Sequence, residues 1–230
     1  DYRQKGIATK LMNRAIKYVK KRKLDKAVMH VLSDNQPAKN LYRKLGFNKF
    51  EDIRYLTAQI GSLPNLEKTN SAEMRDFEKS DLDSVYNLIR MSREPERLRI
   101  YDFKKADLRT SLWQRLAGMS AAKKTVAVKD HKIVGYTTTA FTTSNMAGRI
   151  TNIEVHPEMA SEGIEEQLVK NGTDYLKTRN TKTVLITMPL ARKTTERLTS
   201  LGFKKSYVME GMVLENTQPV TTNLSRSHPF

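Results

Sequence analysis

The sequence contains no cysteine. That absence removes disulfides, cysteine nucleophiles and thiolate metal sites together, and it fits a reducing compartment. Histidine is scarce as well: the four stand at 30, 131, 156 and 228, with no HExxH or other ligand spacing, so no dedicated metal site is expected. No apolar run has the length needed to cross a bilayer, and no charged, apolar, small-residue series marks a signal peptide. The expectation is a cytoplasmic protein with no membrane attachment. Acidic side chains are also in short supply, 25 Asp and Glu against 41 Lys and Arg, which leaves a formal charge of +16. Such an excess attracts phosphates, nucleic acid or acidic surfaces without choosing among them. It is uneven, because residues 1–62 hold fifteen basic side chains against five acidic ones.

What is present supports packed structure. Over 230 residues, 38% hydrophobic content suffices for one large domain or two small ones. Behind a turn at Gly6, Ile7, Leu11, Met12, Ala15, Ile16 and Val19 share one helical stripe, with Lys10, Asn13, Arg14, Lys17, Lys20 and Lys21 opposite. Lys26–Leu32 is short, apolar and β-branched enough for a buried strand, SDNQP breaks it, Ala38–Leu45 reads as a helix stopped by Gly46, and Phe47–Ile60 as a strand. The stretch GSLPNLEKTNSA, 61–72, has linker composition. Beyond it the pattern predicts helices at Ser80–Met91 and Lys104–Met119, a hairpin of Thr125–Val128 and Ile133–Thr139 around KDHK, and a strand at Arg149–Val155. Helix Ser161–Thr178, strand Lys182–Met188, helix Lys193–Leu201 and strand Lys204–Leu214 follow, and 216–230 reads as a polar tail. Trp113 and the ten methionines suit core and gap filling.

Two parts of this series match. The order turn, helix, strand, helix, LGF, strand occurs at 3–60 and again at 160–214, with LGFNK at 45–49 answered by LGFKK at 201–205. Gly6 to Gly46 is forty residues and Gly163 to Gly202 is thirty-nine. A tandem duplication accounts for so close a spacing.

These residues resemble the GNAT-type N-acetyltransferase superfamily. Its acetyl-CoA signature, Q/R-x-x-G-x-G/A, is met by Arg3, Gly6 and Ala8, and its second signature by Asn35, Ala38, Leu41, Tyr42, Gly46 and Phe47. The resemblance implies an α/β (α+β) fold: a mixed, mostly antiparallel sheet flanked by helices. It also implies acetyl-CoA as cosubstrate, and transfer of the acetyl group by direct attack to an amine-bearing acceptor such as a protein N-terminus, a lysine or a small amine. On that basis the backbone of Arg3, Gln4, Lys5, Gly6, Ile7, Ala8 and Thr9 would cradle the pyrophosphate, since a glycine and a small residue opening a helix let N–H groups approach phosphate closely. The bland alternative is a plain helix start with basic neighbours. Tyr42 corresponds to the family's acid for the departing thiolate, or else simply packs on the sheet. Asn35 corresponds to a residue that orders the pantetheine arm, or caps the next helix. His30 stands where members resembling ribosomal-protein N-terminal acetyltransferases carry a carboxylate base, and a structural strand histidine is the alternative.

The organisation expected is therefore 1–60 as the C-terminal half of such a domain, 61–72 as linker, 73–215 as a complete but degenerate domain, and 216–230 as tail. In the second copy the basic first position is Ala160, the small third position is Glu165, and Tyr42 and Asn35 become Leu198 and Ala191. A carboxylate beside the phosphate position repels the ligand, so this copy reads as a scaffold. The second copy carries a long stretch before its turn, whereas the first has two residues before Arg3. That points to a fragment of a longer tandem protein, or to a half-domain completed by a partner chain, a homodimer included. Two other readings stay open: a non-catalytic interaction or regulatory module, and a basic nucleic-acid-associated protein prompted by KYVKKRKLDK at 17–26, for which no recognition motif is present.

Overall fold

The computed structural model describes residues 5–64, 72–109, 122–142, 147–188 and 192–216. The first segment runs α1 (Ile7–Lys21), β1 (Lys26–Leu32), α2 (Gln36–Lys44) and β2 (Asn48–Gln59). The second runs β3 (Glu73–Asp76), α3 (Leu82–Ser92), α4 (Pro95–Tyr101), β4 (Lys123–Lys129), β5 (Lys132–Thr142), β6 (Ala147–Val155), α5 (Ile164–Lys177), β7 (Thr183–Met188), α6 (Arg192–Ser200) and β8 (Lys204–Glu215). Helix α4 escapes the sequence reading because it is two turns long and opens on a proline, which suits a first helical turn but reads as a breaker. The helix expected at Lys104–Met119 is not formed in its described part, where a short 3-10 turn at Lys105–Leu108 gives way to extended Arg109. The rest of that expectation, with Trp113, lies outside the described residues, as does the tail beyond Asn216.

The eight strands form one sheet in the order β1-β8-β2-β7-β6-β5-β4-β3. Every neighbouring pair is antiparallel except β6 and β7, which run parallel. The expected fold class, a mixed and mostly antiparallel sheet flanked by helices, is therefore the observed one. Side chains alternate across the sheet. In β4, Ala127 joins the core of Leu168, Val169 and Leu198 from α5 and α6, while Val126 joins that of Val85, Leu88 and Ile89 from α3. Met29 and Val31 of β1 and Met212 of β8 pack with Met12, Ile16, Ala38 and Tyr42, so α1 and α2 lie on the face that carries α5 and α6. Helices α3 and α4 cover the other.

Residues 1–60 and 73–215 interlock within this sheet. Strand β2 does not lie beside β1; β8 stands between them, and β2 in turn separates β8 from β7. The β2–β8 register is self-symmetric about Ile53 opposite Met209. Asp52↔Glu210 on one side answers Arg54↔Val208 on the other, Glu51↔Gly211 answers Tyr55↔Tyr207, and each strand carries a bulge at the matching place. The glycines of positive φ among the described residues fall into two matched pairs, Gly6 with Gly163 and Gly46 with Gly202.

The two long helices differ in cover. Ile164 and Leu168 of α5 are 1% and 0% exposed under β5 and β6, whereas the matching Ile7 and Leu11 of α1 are 47% and 64% exposed beside the outermost strand. A buried ion pair ties the segments together on the α2 side. Lys39 Nζ donates to Glu210 Oε1 at 2.6 Å and to the Ser33 carbonyl at 2.6 Å, with Arg43 3.8 Å from the other carboxylate oxygen. Lys39→Ala strands the Glu210 carboxylate and is expected to destabilise the fold by about 3–5 kcal/mol in urea unfolding, with the double change Lys39→Met, Glu210→Leu recovering most of that loss.

Candidate active site

Helix α1 starts on Gly6 in the left-handed conformation, φ 73°. A Cβ there would meet nothing within 4 Å, so the dihedral and not the space calls for glycine, and the turn is open on its outer side. The first turn, Ile7, Ala8 and Thr9, contains no acidic residue, and Lys5 precedes it. Its amides have no acceptor within the helix, and the dipole leaves partial positive charge at this end. Arg3 and Gln4 lie outside the described residues.

The matching turn on α5 is built alike and filled differently. Gly163 repeats the left-handed cap at φ 76°, but Glu165 and Glu166 occupy the first turn. From α6, Arg197 donates to the Ala160 carbonyl at 3.0 Å and stands 3.6 Å from Glu166. Lys129 pairs with Glu162 at 2.5 Å. The protein's own charges thus close this turn. On α2 the place of Arg197 is held by Leu41, so among the described residues α2 supplies no such clamp to the α1 turn.

Helix α1 returns through a short link into β1, which places Gly6, the end of β1 and the start of α2 at one end of the sheet. Asn35 caps α2, its Oδ1 accepting from the Ala38 amide at 3.2 Å. Tyr42 sits in the last turn of α2, partly buried against Phe47, ring centroids 6.2 Å apart, and against the Val31 and Met212 cluster. Its counterpart Leu198 is fully buried in the core.

His30 does not join Tyr42. Strand alternation turns it to the opposite face, where its Nε2 lies 3.0 Å from the Tyr101 hydroxyl of α4. That hydroxyl donates to Glu51 Oε1, Arg97 Nε stands 3.0 Å from Glu51 Oε2, and His30 Nε2 is 3.7 Å from Glu51 Oε1. Burial alone would raise the Glu51 carboxyl, but His30, Tyr101 and Arg97 outweigh it and hold the group below its ordinary value. Burial and then the Glu51 carboxylate push the Tyr101 phenol up. His30, Gly211 and Glu51 are register partners across β1, β8 and β2. A Cβ on Gly211 would meet Glu51 Cγ at 2.6 Å, so the missing side chain is the room in which the cluster meets.

Glu51, Arg97, Tyr101 and Gly211 escape sequence reasoning. The single signal is a charged residue at a strand position whose neighbours alternate with apolar ones, and nothing in the spacing links positions 30, 51 and 101. In the second segment, β6 and β7 pair only as far as Thr151↔Thr187, while β6 continues to Val155 past Asn152 at φ 53°. Glu154 on that continuation accepts from Ser92 at 2.6 Å and from Arg93 at 2.7 Å. No His, Asp and Glu cluster of metal-binding form occurs among the described residues, and no helix there is long and apolar enough to cross a membrane.

Residues 1–47 match the model of the acetyltransferase (GNAT) family. No curated protein matches the chain by sequence. Among solved structures, a GCN5-related N-acetyltransferase from Sphaerobacter thermophilus superposes with TM-score 0.68 at 15% identity, covering 93% of this chain and 69% of its own. A tandem GNAT protein from the clavulanic acid biosynthesis pathway gives 0.65 at 16%, covering 93% and 71%. The PaiA N-acetyltransferase from Thermoplasma acidophilum, solved with coenzyme A, gives 0.51 at 14%, covering 61% and 98%. At such identities the likeness to solved structures is one of fold. The chain has the fold of the GNAT N-acetyltransferases, and its first 47 residues carry that family's sequence pattern.

Proposed function

We propose that the protein is an N-acetyltransferase that takes acetyl-CoA as cosubstrate and acetylates an amine, with the chemistry in the segment 1–60 and the segment 73–215 as a scaffold that supplies one wall of the site. The observation that carries this reading is the contrast between two matched helix starts. One carries no acidic side chain in its first turn and follows Lys5; the other carries Glu165 and Glu166 there and is closed by Arg197. Backbone amides from Gly6 to Thr9 suit a diphosphate, and Arg3, Gln4 and Lys5 add attraction at the same end. Asn35 holds the start of α2 and thereby the approach to the turn.

Bound acetyl-CoA supplies the acetyl group as a thioester, which a neutral amine attacks at the carbonyl carbon as the carbon–sulfur bond breaks. The protein's part is to move two protons. Tyr42, on the face of α1 and α2, gives its phenolic proton to the departing sulfur. His30, on the other face of β1, takes the proton that the ammonium acceptor must lose. The two side chains lie on opposite faces of the outermost strand, so the proton of the ammonium reaches His30 through bridging water before the neutral amine attacks. The acceptor is a primary amine on a protein, peptide or small molecule.

Calorimetric titration with acetyl-CoA is expected to show one saturable site. Lys5→Glu should weaken it about thirtyfold, since the reversal removes one attraction to the phosphates and adds one repulsion, each worth about 1 kcal/mol in water. Arg197→Ala should leave the affinity unchanged; a loss of binding with Arg197→Ala and none with Lys5→Glu would move the site to the second segment. In a thiol-release assay with free-N-terminus peptides, lysine and polyamines, Tyr42→Phe is expected to lower kcat by about two orders of magnitude. The dissociation constant for acetyl-CoA should stay within about twofold, and an unchanged kcat would remove Tyr42 from the acid role.

A further inference from the structure

We propose that His30, Tyr101 and Glu51 form a proton-positioning relay across the interlocked segments, in which Glu51 acts through the Tyr101 hydroxyl to hold His30 with its proton on Nε2 and its lone pair on Nδ1 facing the acceptor amine. It builds on the acetyl-transfer reading and names the atom that receives the proton, the residues that set it and the segment they come from.

The direction of each hydrogen bond follows from how many protons each group owns. A phenol has one proton, and that of Tyr101 goes to the Glu51 carboxylate. Toward His30 the phenol oxygen can therefore only accept, so Nε2 carries the hydrogen and donates across 3.0 Å. Nδ1 is left as the basic atom. When Nδ1 takes a proton from an ammonium acceptor, the amine becomes the nucleophile and the ring becomes an imidazolium with Glu51 Oε1 3.7 Å from its other nitrogen. A buried anion at that range stabilises the cation as it forms, as the carboxylate of a hydrolytic triad does for its histidine.

Three features show this cluster to be built. Glu51 is buried, and its second oxygen lies 3.0 Å from Arg97 Nε as a charge pair without hydrogen-bond alignment, so a neighbouring positive charge favours the ionised carboxylate. Gly211 leaves the gap in the middle of the row. The symmetry-matched row has no such gap: there Thr187, Tyr55 and Tyr207 take the places of His30, Gly211 and Glu51, and the two tyrosines stack at 4.3 Å to fill the space. Among the described residues the row that could carry protons occurs once, in the β1–β8–β2 half of the sheet and on the face opposite α1. It also needs both segments, because His30 and Glu51 come from one and Tyr101, Arg97 and Gly211 from the other.

The charged and titratable groups facing His30 are Glu51 from β2, Tyr101 and Arg97 from α4, and Lys26 along β1, whose Nζ is held by the Arg99 carbonyl at 2.6 Å. The test reads the ring directly. In ¹⁵N-histidine-labelled protein, with the His30 signals identified by their loss in His30→Gln, the neutral ring is expected as the Nε2–H form. Glu51→Gln, whose amide can donate to the Tyr101 oxygen, frees the phenol to donate to Nε2 and should raise the Nδ1–H share of the neutral ring. Tyr101→Phe, which removes a single oxygen, should abolish the preference for Nε2–H, and Glu51→Asp should keep part of that preference. Thermal melts of each variant report whether the fold is kept. An Nδ1–H ring in the unaltered protein, or a tautomer that ignores both changes in folded variants, would overturn the relay. In turnover, kcat should fall in Glu51→Gln while the KM for acetyl-CoA holds. Failure of acetyl-CoA to bind at all would instead sink the acetyl-transfer reading and leave the ring measurement standing.

Discussion

The pairing of β2 with β8 is the constraint on which the rest of the structure depends. Each of these strands follows its own helix and LGF turn, yet neither lies beside the strand that precedes it in the chain. Their register is symmetric about Ile53 and Met209, so the hydrogen bonds that join the segments also decide which residue of one faces which residue of the other. A slip of one residue would turn every side chain to the opposite face. Glu51 would leave the α4 side, and Ile53 would lose its place. Matched bulges on both strands resist such a slip by allowing one alignment.

On this nearly symmetric frame, the chemistry is unsymmetric. The backbone repeats closely: left-handed glycines open both long helices and stop both short ones. Side chains at the repeated places differ in kind. Leu198 stands for Tyr42, Thr187 for His30 and Tyr55 for Gly211, and Arg197 closes a turn that Leu41 leaves open. Each of these changes trades a polar or open position for a packed or clamped one on the second side, which is what a structural role favours. Residues of the second segment still serve the first side through α4, whose Arg97 and Tyr101 reach across β8 to Glu51.

Much of this was legible in the residues. The hydrophobic stripe of α1, the strand at Lys26–Leu32, the Asn35 cap and the Gly46 stop depend on near neighbours, and they appear where the pattern places them. Helix α4 was hidden because seven residues behind a proline carry too little period. The exposure of Ile7 and Leu11 was hidden too, since a stripe shows which side of a helix is apolar and not whether anything lies against it. His30 and Tyr42 were both visible as candidates, but their separation onto opposite faces follows from strand alternation combined with which helices pack where.

By itself, then, the sequence determined the local elements, the repeated glycine turns, the excess of positive charge on the first segment and the two signature motifs, all set by short-range dihedral preference and periodicity. Only the tertiary structure decided that the last strands interlock, that Arg197 closes one helix start, and that His30 meets Tyr101 and Glu51 over a glycine. Contacts between residues 30, 51, 101 and 211 rest on sheet order and register, which are chosen by the burial of whole faces and leave no mark in the spacing of any one segment.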